Sequence, residues 1–118
     1  MLENIALVLQ VHEHLSRKKA NKEVYHALNS LELEHIAQLR YEACSDKEMF
    51  FVQLIRASIQ KDAKIIIEQP FMLLSEEMNL DFILESLDAL RIEYGRVLII
   101  DLIHQENYYR EGRCHIEI

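Results

Sequence analysis

The chain has 118 residues, half of them apolar and 28% charged, with a net charge of −7. This length predicts a single domain spanning residues 1–118, with enough apolar surface for a core that needs no disulfide or metal cross-link. The acidic balance argues against a nucleic-acid-binding protein, which needs basic residues for phosphates, and is compatible with a basic protein partner.

The scarcity of glycine and proline bears on the fold class. The chain has two glycines and one proline, and both residue types are used at turns, so long helices with short connections are favoured. The predicted fold is all-α, an up-and-down bundle of about four helices. The N-terminus lacks the basic region and cleavage site of a signal peptide, and no apolar run could span a membrane. Cys44 and Cys114 lack metal-binding spacing and are expected to be free thiols in the cytoplasm.

The first two predicted helices are amphipathic. Apolar residues recur at helical spacing over residues 2–15, which predicts the first helix. Asn21 is the predicted N-cap of the second helix, which is expected to continue to about Ala43. Its apolar stripe extends from Val24 to Leu39.

The third predicted helix has the clearest start in the chain. Ser45 is followed three residues later by Glu48, the spacing of a capping box. The helix is predicted to continue until Pro70, which removes a helical hydrogen bond and ends or kinks it. The β-branched segment Ile65–Ile67 could form a strand in isolation, but the helical pattern enters it from upstream, so we assign it to the helix.

The fourth predicted helix begins at Asn79, an N-cap candidate, with Met78 and Ile83 as a hydrophobic staple. We predict that it continues without a break until just before Gly112. The segment 96–103 suits a buried strand equally well by composition. The alternative fold is therefore α+β, with a C-terminal β-hairpin at about 97–118 that turns at Glu111-Gly112.

Acid-x-x-His pairs are the main chemical signal in the sequence. Residues three apart share one face of a helix, so Glu32/His35 and Asp101/His104 could each present two ligands to one metal ion. Glu23/His26 has the same spacing but a more exposed position. Counting residues from the predicted turns leaves no complete ligand set in one layer of the bundle. We therefore expect no cofactor, with hydrogen-bonded groups at the edge of the core; a divalent transition metal is the alternative.

The remaining signals favour an interaction protein. Phosphate-binding and hydrolase motifs are absent from the sequence. The run that begins with Phe71 and Met72 and ends at Leu74 is strongly apolar, and Tyr108 and Tyr109 lie beside arginines, a composition typical of interfaces. We expect a small cytoplasmic protein that acts by protein–protein interaction, regulatory or inhibitory, and forms a homodimer, without nucleic-acid or membrane partners.

Overall fold

The computed structural model describes residues 1–76 and 79–109. Among them are four α-helices and two β-strands, in the order α1 (Leu2–His12), α2 (Arg17–Ser30), α3 (Asp46–Ser58), β1 (Ile65–Glu68), α4 (Leu80–Ala89) and β2 (Val97–Ile100). Short 3₁₀ segments lie at Glu34–Gln38, Tyr41–Ala43, Pro70–Met72, Tyr94–Arg96 and Ile103–Tyr108. The chain is thus mainly helical with a small sheet. None of these helices is both long enough and apolar enough to cross a membrane.

The chain forms two compact units, one over Met1–Ala63 and the other from Lys64 onward. In the first unit α1 packs against α2, and both contact α3. Each of these helices buries one apolar face. Buried residues of these faces include Leu9 in α1, Val24 in α2 and Ile55 in α3. The expectation of one domain over residues 1–118 stays a prediction.

The second helix differs from its predicted bounds at both ends. It begins after Ser16, whose hydroxyl accepts the Lys19 N–H at 3.3 Å, so Asn21 lies inside α2 and is not its cap. It ends at Ser30 and not at about Ala43. Glu32 has a φ of 59°, and the Leu33 N–H donates to Leu28 O at 2.8 Å. This is a Schellman motif, which closes a helix with a left-handed residue.

The predicted start of the third helix is confirmed, and its predicted end is wrong. Ser45 accepts the Glu48 N–H while the Glu48 carboxylate accepts the Ser45 N–H, the predicted capping box. The helix ends at Ser58, well before Pro70. The segment Ile65–Glu68 is strand β1 and not helix, because pairing with a distant strand satisfies its backbone groups in an extended conformation.

The second unit contains a two-stranded parallel sheet. Ile65 of β1 pairs with Val97 of β2, and the register continues to the pair of Glu68 and Ile100. The continuous helix predicted through residues 97–100 is therefore wrong, and the alternative of a strand there is confirmed. The described partner of β2 is β1. The hairpin turn predicted at Glu111-Gly112 lies outside the described residues.

Helix α4 connects the two strands and is capped at both ends. The Asn79 side chain accepts the Phe82 N–H at 2.8 Å, which confirms the predicted N-cap; Met78 of the predicted staple lies outside the described residues. At the other end Arg91 has a φ of 56°, and the Ile92 N–H donates to Leu87 O. The helix thus ends at Ala89, in a second Schellman motif.

The fold class is confirmed only at the coarse level of a mainly helical chain. The four-helix up-and-down bundle is not confirmed, because two of its predicted helices are shorter and parts of the third and fourth are strands.

Candidate functional site

Glu32 and His35 do not share a helix face. Glu32 is the exposed left-handed residue after α2, and His35 lies on the following 3₁₀ segment. The His35 Nε2 atom is 2.7 Å from Glu48 Oε2. The helix-face basis of the metal prediction is therefore wrong for this pair, and His35 has a carboxylate partner from α3.

Asp101 and His104 are also not on one helix. Asp101 follows β2 directly, and its carboxylate accepts the Tyr109 O–H at 2.5 Å and the Leu102 N–H at 2.7 Å. His104 is an exposed residue of a 3₁₀ segment. Asp101 thus anchors the chain that follows the sheet. Glu23 and His26 do lie on one helix, α2, and both are exposed as expected.

No metal centre is formed by the residues that the structure describes. Among them, no group of three or more His, Cys, Asp and Glu side chains is placed to hold a metal ion. The divalent metal stays a sequence prediction, and the described geometry adds no support to it.

The apolar residues predicted to form an interaction site divide into buried and exposed members. Phe71 is buried, with its ring centroid 5.4 Å from that of Tyr108 and 5.6 Å from that of Tyr109. Leu74 and Tyr109 are buried as well, so these three side chains fill a core. Met72 and Tyr108 are exposed.

An exposed apolar surface that the sequence analysis missed lies on the sheet. Side chains alternate across a strand, so Ile66, Leu98 and Ile100 point to one face, while Ile65 and Ile67 are buried on the other. The exposed fractions are 63% for Ile66, 55% for Leu98 and 48% for Ile100. Ile66 and Leu98 are direct neighbours in the register. We call these three residues the exposed sheet face.

This face is unusual for the type of sheet. Parallel sheets are normally covered on both faces, because crossover connections place helices there. Exposed aliphatic residues in neighbouring strands form a contiguous patch, and such patches mark interaction sites. The sequence signal for this face was the β-branched run Ile65–Ile67. Its side chains alternate between the buried and the exposed face of the sheet only when the run is assigned to a strand.

Cys44 offers little nucleophilic chemistry. Its thiol is free and half-buried, and its Sγ atom is 3.6 Å from Arg40 O. Burial raises the pKa of the Cys44 thiol, and the nearby Glu48 carboxylate raises it further. Since the thiolate is the reactive form, this environment lowers the reactivity of Cys44.

Comparison of the chain with protein-family models, with curated proteins and with solved structures finds no match in any of the three. No residue can therefore be assigned a role from a relative. The candidate site is the exposed sheet face, which rests on strand register and exposure alone.

Proposed function

We propose that this chain is a small interaction protein, regulatory or inhibitory, that acts by contact with other proteins and associates with itself as a homodimer. The observation that supports this function is the exposed sheet face of Ile66, Leu98 and Ile100. Covering apolar surface is the main favourable contribution to protein association, at about 25 cal/mol per Å².

The charge of the chain favours one kind of partner. A net charge of −7 attracts proteins with a basic surface and repels acidic ones. We therefore propose an apolar contact at the sheet, surrounded by basic residues of the partner. We also propose a cytoplasmic location, a reducing compartment in which cysteine thiols stay unpaired.

Substitution of the sheet face tests this function. Leu98→Thr together with Ile100→Thr places threonine, a β-branched residue that suits a strand, at both positions and removes most of the exposed apolar surface of β2. We expect the double variant to lose partners that the wild-type chain retains in a quantitative pull-down, by about tenfold or more in recovered protein. Circular dichroism checks that the fold is retained.

A matched control uses exposed apolar residues of α1. Leu7 is 57% exposed and Val11 is 58% exposed, so Leu7→Gln with Val11→Gln removes a similar apolar area elsewhere. Retention of the same proteins by wild type and both double variants would contradict a role for the sheet face. For self-association, a clean monomer in sedimentation at micromolar concentration would contradict the homodimer.

A further inference from the structure

One edge of β1 carries backbone groups without a described partner. The Gln69 N–H donates to Ile100 O at 2.7 Å. Because N–H groups alternate sides along a strand, those of Ile65 and Ile67 also face β2, and those of Ile66 and Glu68 face the opposite edge. Among the described residues, no third strand pairs with this edge. An open edge of this kind is a template for another strand.

The segment 64–68, which is Lys64 followed by β1, is complementary to itself in the antiparallel direction. In Lys64-Ile65-Ile66-Ile67-Glu68 the basic and acidic residues are equally distant from Ile66. A twofold axis through Ile66 would place Lys64 opposite Glu68 of a second copy, and Glu68 opposite its Lys64. Opposite charges directly across an antiparallel pair stabilise it. Lys64 and Glu68 are exposed and make no ion pair within the described residues.

The directions of the backbone N–H and C=O groups and the faces of the side chains are both compatible with this antiparallel register about Ile66. Ile66 and Glu68 present their N–H and C=O groups to the open edge, so the central Ile66 pair can exchange both backbone hydrogen bonds, with Lys64 immediately before the strand at each end. All three side chains are exposed, whereas Ile65 and Ile67 are buried on the opposite face. No side chain would have to change face.

Strand β2 does not have this property. Arg96 and Asp101 are its flanking charges, and they are separated by an odd number of positions. A twofold pairing that brought them opposite each other would set the exposed Leu98 against Ile99, which points to the other face. Asp101 already accepts the Tyr109 hydroxyl. Self-complementarity is therefore a property of β1 and not of every strand in the sheet.

From these observations we infer that the occupant of the open edge is a second copy of this chain, paired through β1 in antiparallel register about Ile66. This inference rests on the self-association in the proposed function. The two sheets would form one four-stranded sheet in the order β2, β1, β1 of the second copy, β2 of the second copy. The exposed sheet faces of both copies would then form one continuous apolar surface for a further partner.

Charge reversals test the register. Lys64→Glu gives β1 two acidic ends and Glu68→Lys gives it two basic ends, so each variant alone sets like charges opposite each other. We expect each reversal to raise the dimer dissociation constant by about tenfold in sedimentation equilibrium. An equimolar mixture of the two variants, and the double variant K64E/E68K, restore opposite charges and should return the dissociation constant to the wild-type range.

Controls with the same changes in net charge lie outside β1. Lys61→Glu and Glu85→Lys alter exposed residues and, at 0.15 M sodium chloride, where net-charge repulsion is screened, should leave the dissociation constant within about threefold of wild type. A second measurement follows amide hydrogen exchange at low and high protein concentration. The Ile66 and Glu68 amides should gain protection as the dimer forms, while the Ile65 and Ile67 amides, which face β2, should be protected at both concentrations.

The outcomes separate the inference from the proposed function. A wild-type dimer that both reversals leave unchanged would overturn pairing through β1 and leave self-association intact. A wild-type monomer up to about 1 mM would overturn both the pairing and the homodimer; Lys64 and Glu68 would then serve to keep the edge solvated, as charges on edge strands do. Restoration in the mixture supports the inference, because a purely structural effect of either substitution would persist there.

Discussion

Glu48 uses both of its carboxylate oxygens at the start of α3. Oε1 accepts the Ser45 N–H at 2.9 Å, and Oε2 lies 2.7 Å from His35 Nε2. The Ser45 backbone N–H is the largest cause of a lowered Glu48 pKa, partly opposed by burial and assisted by His35. Ionised Glu48 therefore connects the 3₁₀ segment Glu34–Gln38 to the first turn of α3.

Glu48→Gln should make the free energy of unfolding less dependent on pH in the acidic range. A carboxyl whose pKa is lowered by folding stabilises the fold above its ordinary value of 4.5, and this contribution is lost as the pH falls through the lower folded-state value. Gln keeps the capping geometry and loses the charge. We expect the variant to unfold about 1 kcal/mol more easily than wild type at pH 7, with the difference shrinking toward zero below the folded-state pKa.

Urea unfolding at several pH values measures this difference. Glu42→Gln is the matched control, because Glu42 is exposed and makes no described interaction. A deficit in Glu48→Gln that stays constant from neutral to strongly acidic pH would show that the effect comes from packing and not from the ionised carboxylate.

The roles of His35 and Asp101 show where sequence analysis loses accuracy at this scale. The residue types and their spacing were identified correctly, but the partners were not. Glu48 is 13 positions from His35, and Tyr109 is eight positions from Asp101. Neither contact lies within one helical turn, so it depends on how the chain folds between the two residues. A spacing rule that assumes a continuous helix cannot find such contacts.

At the scale of elements, two helices end in the same way. The ends of α2 and α4 have matching sequences, Leu28–Leu33 with LNSLEL and Leu87–Ile92 with LDALRI. In each, a charged exposed residue, Glu32 or Arg91, is left-handed, and buried leucines or an isoleucine flank the turn. The left-handed conformation costs a non-glycine residue roughly 1–2 kcal/mol, which the backbone bonds and apolar contacts of the motif offset.

Glycine at these two positions should therefore stabilise the protein. Glu32→Gly and Arg91→Gly remove the unfavourable Cβ contact of the left-handed conformation, partly offset by the greater freedom of glycine in the unfolded chain. We expect each to raise the free energy of unfolding by about 0.5–1 kcal/mol in urea titration.

Ser30→Gly is the control for this pair. Ser30 is the last residue of α2 and has ordinary helical conformation, so glycine there should destabilise by a similar amount. If Glu32→Gly destabilised the chain as much as Ser30→Gly, the left-handed turn would not be a source of strain.

The starts of α3 and α4 were predictable, whereas the start of α2 at Ser16 and the helix ends were not, for a physical reason. The caps at Ser45 and Asn79 are contacts within four residues, and the hydroxyl or amide that makes them is visible in the sequence. The ends at Glu32 and Arg91 lack the glycine or asparagine that usually marks a left-handed residue. Without that signal the helical periodicity continued past both ends, which produced helices that were too long.

At the scale of the whole molecule, the sheet was the least predictable feature. Ile65 and Val97 pair across 32 positions of sequence, so no local pattern indicates that the two segments meet. Each was recognised as suited to a strand, by β-branching at Ile65–Ile67 and by composition at 96–103. Only the pairing decides between strand and helix for such short apolar runs. The exposed sheet face could not be proposed until the register was known.

The net charge of the two chains opposes the proposed dimer, whereas the ion pairs at its centre favour it. Two chains that each carry −7 would repel by roughly 7 kcal/mol in unscreened water at a separation of about 30 Å, an ordinary spacing for chains of this length. Screening reduces this repulsion to about 2–3 kcal/mol at 0.01 M salt and about 0.2 kcal/mol at 0.15 M. The two Lys64–Glu68 pairs contribute about 0.2–1 kcal/mol each and act at short range.

Self-association should therefore tighten as salt is added, although the proposed contact contains ion pairs. The loss of long-range repulsion exceeds the loss from screened pairs, so we expect the dissociation constant to fall about tenfold between 0.01 and 0.15 M sodium chloride in sedimentation equilibrium. Glu23→Lys with Glu85→Lys changes the net charge from −7 to −3 at exposed positions outside β1, and should remove most of this salt dependence. A wild-type dimer that weakens with salt would mean that short-range attraction between charges, and not apolar and backbone pairing, holds the copies together.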